Sequence, residues 1–214
     1  MSLRKTSFAP SEFYHLYNRG TEKRKIFLDK EDYTHFLKLM LLCNSSGNIR
    51  SRNKKTEKVT DENEILVDIG AYCLMPNHFH ILIHENIEGG ISKYMLKLMT
   101  AYTMYFNKKY IRTGKLYEGV FKSTHAKTDR YLKYLYSYIH LNPAKIIDKS
   151  WKTNKRKDSS VLLEYIFKYP YSSIREYKDN SFEILNTVPF PVYFKKLNHH
   201  KKELFEWLNF SQME

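Results

Sequence analysis

The sequence predicts an α+β fold: a ferredoxin-like sandwich, with an antiparallel-dominated sheet and helices packed on one face. Three observations predict it. Patterned segments follow the order β, α, β-hairpin, α, β, α. The hairpin is marked by two apolar runs separated only by Met75-Pro76-Asn77. The segments before and after it carry apolar residues at helical spacing.

Each element has its own signal. Phe13-Tyr14-His15-Leu16-Tyr17-Asn18 alternates large and polar residues and ends at Gly20, which predicts the first strand. Asp29 can cap a helix over about 30–43, with Tyr33, Phe36, Leu37, Met40 and Leu41 on one face. Residues 45–64 are polar and charged and predict a loop or loose hairpin extension. The apolar run 65–74 predicts a strand, Pro76 interrupts the ladder, and residues 78–84 return as its partner. Gly89-Gly90 breaks that strand. A long helix over about 91–110 follows, with Ile91, Tyr94, Met95, Leu98, Tyr102, Tyr105 and Phe106 on its core stripe. Residues 120–126 predict another strand. Thr128 caps a helix over about 129–142, which Pro143 ends. Beyond it lie a basic linker over 145–157 and helical pieces broken by Pro170, Pro189 and Pro191.

Composition narrows the function. Lysine and arginine outnumber the acids by 36 to 23, a net charge of +13, which favours a polyanion such as nucleic acid. Eighteen tyrosines can supply stacking surfaces, although most tyrosines in a domain of this size serve packing. Cys43 and Cys73 sit in apolar surroundings and read as buried thiols of a reducing cytoplasm, not as a zinc site. The first ten residues lack the apolar stretch of a signal peptide, and no apolar run is long enough to span a bilayer. A cytoplasmic protein is expected.

The chemistry centres on His78-Phe79-His80. Alternation along a strand puts both imidazoles on one side and Phe79, Ile81 and Ile83 on the other. Two imidazoles so placed are half of a divalent-metal site. The helix at 129–142 offers the remainder. Leu132, Leu135 and Ile139 form its packing stripe, flanked by Tyr138 and Asn142 one turn apart. Asn142 brings an amide oxygen as a hard ligand, and Tyr138 a hydroxyl that can attack phosphorus. Such a site suits Mg²⁺ or Mn²⁺, with Mn²⁺ better matched to imidazole. Spacing alone does not separate Tyr138 from Tyr131 and Tyr134. His84 shares the parity of the pair but lies towards the strand end. His140 points elsewhere, to the surface or to a supporting position. Glu118 reads as a loop residue or an acid-base group. Arg19 and Lys122 are candidate DNA contacts, with the basic cluster Arg50, Arg52, Lys54, Lys55 and Lys58 in the loop.

Two segments together are specific. Tyr72-Cys73-Leu74-Met75-Pro76-Asn77-His78-Phe79-His80-Ile81-Leu82 closely resembles the core motif of single-tyrosine HUH transposases. Tyr138-Ile139-His140-Leu141-Asn142-Pro143 resembles their tyrosine motif, at the expected place after the long helix and the next strand. Leu116-Tyr117-Glu118-Gly119-Val120-Phe121-Lys122 and Tyr169-Pro170-Tyr171-Ser172-Ser173 are similar to the branch related to REP-associated tyrosine transposases. The resemblance covers about residues 13–177.

It implies a metal-dependent strand transferase acting on single-stranded, hairpin-bearing DNA. By that match His78 and His80 hold the metal, and Tyr138 makes a 5′-phosphotyrosine. Asn142 stands where many relatives place a longer glutamine ligand. Some relatives are dimers that exchange tyrosine helices and others act as monomers, so both monomer and homodimer stand open. The catalytic domain is expected over 1–145, with a linker and helical extension over 146–214. Two alternatives compete: a domesticated protein that binds such DNA without cutting it, and a replication initiator or relaxase sharing the chemistry.

Overall fold

A computed structural model of the protein describes residues 7–47, 64–151, 158–191 and 197–210. Four strands form one antiparallel sheet: β1 (Phe13–Arg19), β2 (Val67–Met75), β3 (His78–Glu85) and β4 (Lys122–His125). Their order is β2-β3-β1-β4, so the first strand of the chain lies in the middle. The register sets His80 beside Tyr17 on β1 and Cys73 on β2, and Tyr17 beside Lys122 on β4. Opposed residues share a face, so His78, His80, Tyr17, Arg19 and Lys122 all project from one side of the sheet.

Helix α1 (Lys30–Leu42) starts at Asp29, whose carboxylate accepts from the Asp32 amide while Asp32 reaches back in a capping box. Helix α2 (Gly90–Lys109) starts after Gly89, whose φ of 71° suits a residue without a Cβ. Its stripe Ile91, Tyr94, Met95, Leu98, Tyr102 and Phe106 is buried. Both helices cover the face that carries Phe79, where the Phe36 ring lies 5.3 Å from the Phe79 ring. Cys43 and Cys73 are buried free thiols, as expected.

Helix α3 (Asp129–Leu141) is capped by Thr128, whose hydroxyl accepts from the Tyr131 amide. It packs on β2 and β3. Its Tyr138 ring meets His80, so α3 occupies the histidine face. The α+β class and the antiparallel sheet are as expected. The expectation of helices on one face holds for α1 and α2, while α3 lies across the sheet from them. The reason is in β2, where all nine residues are buried and both faces therefore need cover.

Four further helices follow among the described residues: α4 (Ala144–Ile147), α5 (Ser159–Lys168), α6 (Ile174–Asp179) and α7 (Leu197–Phe210). They build a second apolar cluster around Trp151, Leu162, Ile166, Ile174, Leu204 and Leu208. Between α5 and α6 the chain runs along the outer edge of β2. Leu74 N donates to Tyr171 O at 2.9 Å, and Ser173 N donates to Tyr72 O at 3.0 Å.

Ser173 fastens this edge to α3. Its hydroxyl accepts from the Tyr72 amide at 2.8 Å and lies 2.7 Å from His140 Nε2. His140 is therefore not a surface residue. It is fully buried, because α3 turns that side towards β2 and the edge segment. Ser173→Ala strands buried polar groups on both elements and is expected to cost about 2–4 kcal/mol. Urea denaturation measures this; an unchanged midpoint would show that the hydroxyl is dispensable.

Candidate functional site

The histidine face opens into a cleft of about 360 Å³. It is lined by His78 and His80 from β3, Tyr17 and Arg19 from β1, Lys122 from β4, Tyr138 from α3 and Lys145 from α4, with Asn18, Asn77 and Glu118 from the connecting turns and strand ends. The sequence reading identified the two histidines, Tyr138, Arg19 and Lys122, and the fold brings them together.

The proton positions on His78 follow from its neighbours. Its Nδ1 lies 2.6 Å from Asn77 Oδ1, and Asn77 Nδ2 donates to the Lys23 carbonyl at 3.2 Å. The amide orientation is thereby fixed, and its oxygen can only accept. His78 Nδ1 carries the proton and Nε2 carries the lone pair. Burial, with Lys145 and Arg19 nearby, lowers the His78 pKa to about 4.

His80 is tied to a residue that the sequence reading missed. Its Nδ1 lies 2.9 Å from Nε2 of His15, with the rings 5.0 Å apart and tilted by 25°. A proton on His80 Nδ1 leaves the His80 Nε2 lone pair available to a cation, with His15 as acceptor. Burial holds His80 well below the usual histidine range, with His15, His78 and Lys145 adding to the effect. Burial lowers His15 to about 4. All three rings are neutral at physiological pH, the state in which imidazole binds metals. Parity along β1 could have placed His15 on the face of Tyr17, but nothing local reveals a partner 65 residues away.

Tyr138 sets its ring 5.5 Å from His80 and 5.9 Å from His15, edge-on to both. Lys145 Nζ stands 5.5 Å from its ring centre. Burial raises the phenol pKa, with Tyr134, Tyr17 and Tyr131 adding to the effect, so Tyr138 is protonated at neutral pH. Tyr131 and Tyr134 do not line the cleft; Tyr134 turns its ring towards Trp207 of α7. Tyr17, which the sequence reading passed over as a strand residue, does line it.

Asn142 lies outside the cleft lining. It is 1% exposed, its Nδ2 donates to the Tyr138 carbonyl at 2.8 Å, and its Oδ1 accepts from Lys145 Nζ at 3.2 Å. The amide serves the end of α3, where the last carbonyls lack helical donors. Arg19 makes a two-point pair with Glu118, at 2.8 and 3.2 Å, which lowers the Glu118 pKa. His84 is held near the strand end by Asp68 and Asn86. Lys122 is exposed at the cleft margin. Arg50, Arg52, Lys54, Lys55 and Lys58 lie outside the described residues.

Among the described residues no group of three or more His, Cys, Asp or Glu side chains is gathered to hold a metal. His78 and His80 fit a divalent ion as a pair of neutral nitrogen donors, a set better matched to Mn²⁺ than to Mg²⁺. Asn142 does not join them in this arrangement.

Comparison with known proteins gives a consistent result. No curated protein matches the chain. A solved structure of a REP-associated tyrosine transposase bound to a REP hairpin superposes with a TM-score of 0.53. The match covers 86% of this chain and 90% of that one at 12% identity, so the two share a fold. A family model described as transposase IS200-like matches residues 13–142, which span β1, the histidine hairpin and the whole of α3. That is more than half of the chain, and the protein belongs to the IS200-like transposase family.

Proposed function

We propose that this protein cuts and rejoins hairpin-bearing single-stranded DNA, with Tyr138 as the nucleophile. The observation that carries this reading is the Tyr138 ring in one cleft with two neutral imidazoles and the cations Lys122 and Lys145. The net charge of +13 and the hairpin held by the structural neighbour support the class of substrate.

The chain's residues divide the task. Lys122 and Lys145 attract the phosphodiester and balance its charge. The Tyr138 hydroxyl oxygen bonds to phosphorus, and its proton passes to solvent. The bond from phosphorus to the 3′ oxygen breaks, and that oxygen leaves as a hydroxyl after gaining a proton. The 5′ phosphate stays on Tyr138. Reversal by a second 3′ hydroxyl rejoins a strand without ATP, because the phosphotyrosine keeps the bond energy. His78 and His80 would hold a divalent cation, which supplies polarisation of the phosphate oxygens when bound.

Incubation with hairpin-bearing single-stranded DNA and Mn²⁺ is expected to give a covalent protein–DNA adduct, and EDTA present from the start is expected to prevent it. An adduct that forms equally in EDTA would overturn the metal assignment. The burial of Asn142 favours one competing reading, a protein that binds this DNA without cutting it. That reading predicts salt-sensitive hairpin binding and no adduct under any metal condition.

A further inference from the structure

Among the described residues Glu118 is the one acidic side chain lining the cleft. A bare carboxylate there would repel a phosphodiester. Its charge is instead matched by Arg19, through the contacts of 2.8 and 3.2 Å. The geometry of that pair is informative. It engages the side edge of the guanidinium, Nε with Nη2. A guanidinium carries five N–H donors in one plane. Its end edge, Nη1 with the second hydrogen of Nη2, has no partner among the described residues. Arg19 is half-buried and lines the cleft, and as the register partner of His78 it rises from the same side of the sheet. The backbone brings the two partners together. Glu118 N donates to Arg19 O at 3.0 Å, Thr21 N donates to Leu116 O at 3.0 Å, and Asn18 Nδ2 donates to Gly119 O at 2.9 Å. The segment that carries Glu118 is thus laced to the end of β1.

We propose that Arg19 grips a backbone phosphate of the bound DNA by the end edge of its guanidinium, beside His78, and that Glu118 is the positioning residue that holds this fork in place. The inference rests on the DNA chemistry proposed for the cleft and adds the side chain that orients the phosphate. Two parallel N–H donors match two phosphate oxygens, whereas a lysine offers a single point of charge. Lys122 and Lys145 draw the phosphate in, and Arg19 sets its angle within the cleft.

The test measures binding of a labelled DNA hairpin with single-stranded flanks, by fluorescence anisotropy in EDTA. Arg19→Lys keeps the charge and loses the fork. It is expected to weaken binding about tenfold, the contribution of one charge-assisted hydrogen bond, with an unchanged salt slope. Arg19→Gln removes the charge and is expected to reduce the slope of log Kd against log salt by about 0.7–0.9. In a Glu118→Gln background the cost of Arg19→Lys is expected to fall to within about twofold, because the fork is no longer held. Comparing the two backgrounds cancels the change of net charge that Glu118→Gln brings by itself. Urea midpoints check that each variant is folded. Undiminished binding by Arg19→Lys, or a slope unmoved by Arg19→Gln, would overturn the clamp. A cost of Arg19→Lys that persists or grows in the Glu118→Gln background would show that Glu118 stands apart from the fork or masks it, and would overturn its positioning role. The proposed cleavage fails separately: if the parent protein forms no adduct in Mn²⁺ while these results in EDTA hold, the clamp stands and the cutting reading falls.

Discussion

Tyr138→Phe is expected to reduce the covalent adduct by more than about a thousandfold, because it removes the one atom that would bond to phosphorus. The substitution keeps the ring. The edge-on contacts to His80 and His15 and the Lys145 cation over the ring survive it. Hairpin binding in EDTA is therefore expected to stay within about twofold of the parent. The comparison separates chemistry from binding, which Tyr138→Ala would not. Tyr17 is the natural control, since it is the other tyrosine in the cleft. Denaturing gels with labelled DNA read the result. Adduct persisting in Tyr138→Phe and vanishing in Tyr17→Phe would move the nucleophile to β1.

Acid is expected to weaken the fold well before the carboxylates titrate. His15 titrates near 6.5 when unfolded and near about 4 when folded, lowered by burial. Between those values the unfolded chain binds the extra proton, so stability falls as pH drops from about 6.5 to about 4 and is level above that window. The distance corresponds to about 3 kcal/mol for His15 alone. His78, also lowered to about 4, acts in the same direction. Urea midpoints at about pH 7, 5.5 and 4 measure the slope. His15→Gln removes one titrating ring while keeping an acceptor near His80, and is expected to flatten the profile. A profile unchanged by that substitution would sink the argument.

Much of this was readable from local pattern. Asp29 and Thr128 announced their helices because capping is a matter of a few adjacent atoms. The histidine pair announced its strand by period, whereas the helix stripe left Tyr138 level with Tyr131 and Tyr134, and only the resemblance to the family's tyrosine motif singled it out. What escaped depends on long-range pairing or on competition for one group. His15 became visible only when β1 was seated against β3. Lys145 joined the cleft because α4 turns back immediately after Pro143. Asn142 could have faced either the cleft or the helix end, and the carbonyl of Tyr138 claims its amide nitrogen. The position of α3 followed from β2, an apolar strand without alternation that needs cover on two sides.

The segment after α5 closes the outer edge of β2 with the chain's own backbone. A long, flat, apolar strand with bare amides and carbonyls is the usual seed of unwanted polymerisation. Here the segment around Ser172 covers the edge at Tyr72, Cys73 and Leu74, leaving β4 as the outermost strand on the other side. That strand is four residues long, begins with an exposed lysine and is a poor template for a foreign strand. Both margins of the sheet are thus guarded against pairing with a foreign strand, one by the chain's own backbone and the other by brevity and charge.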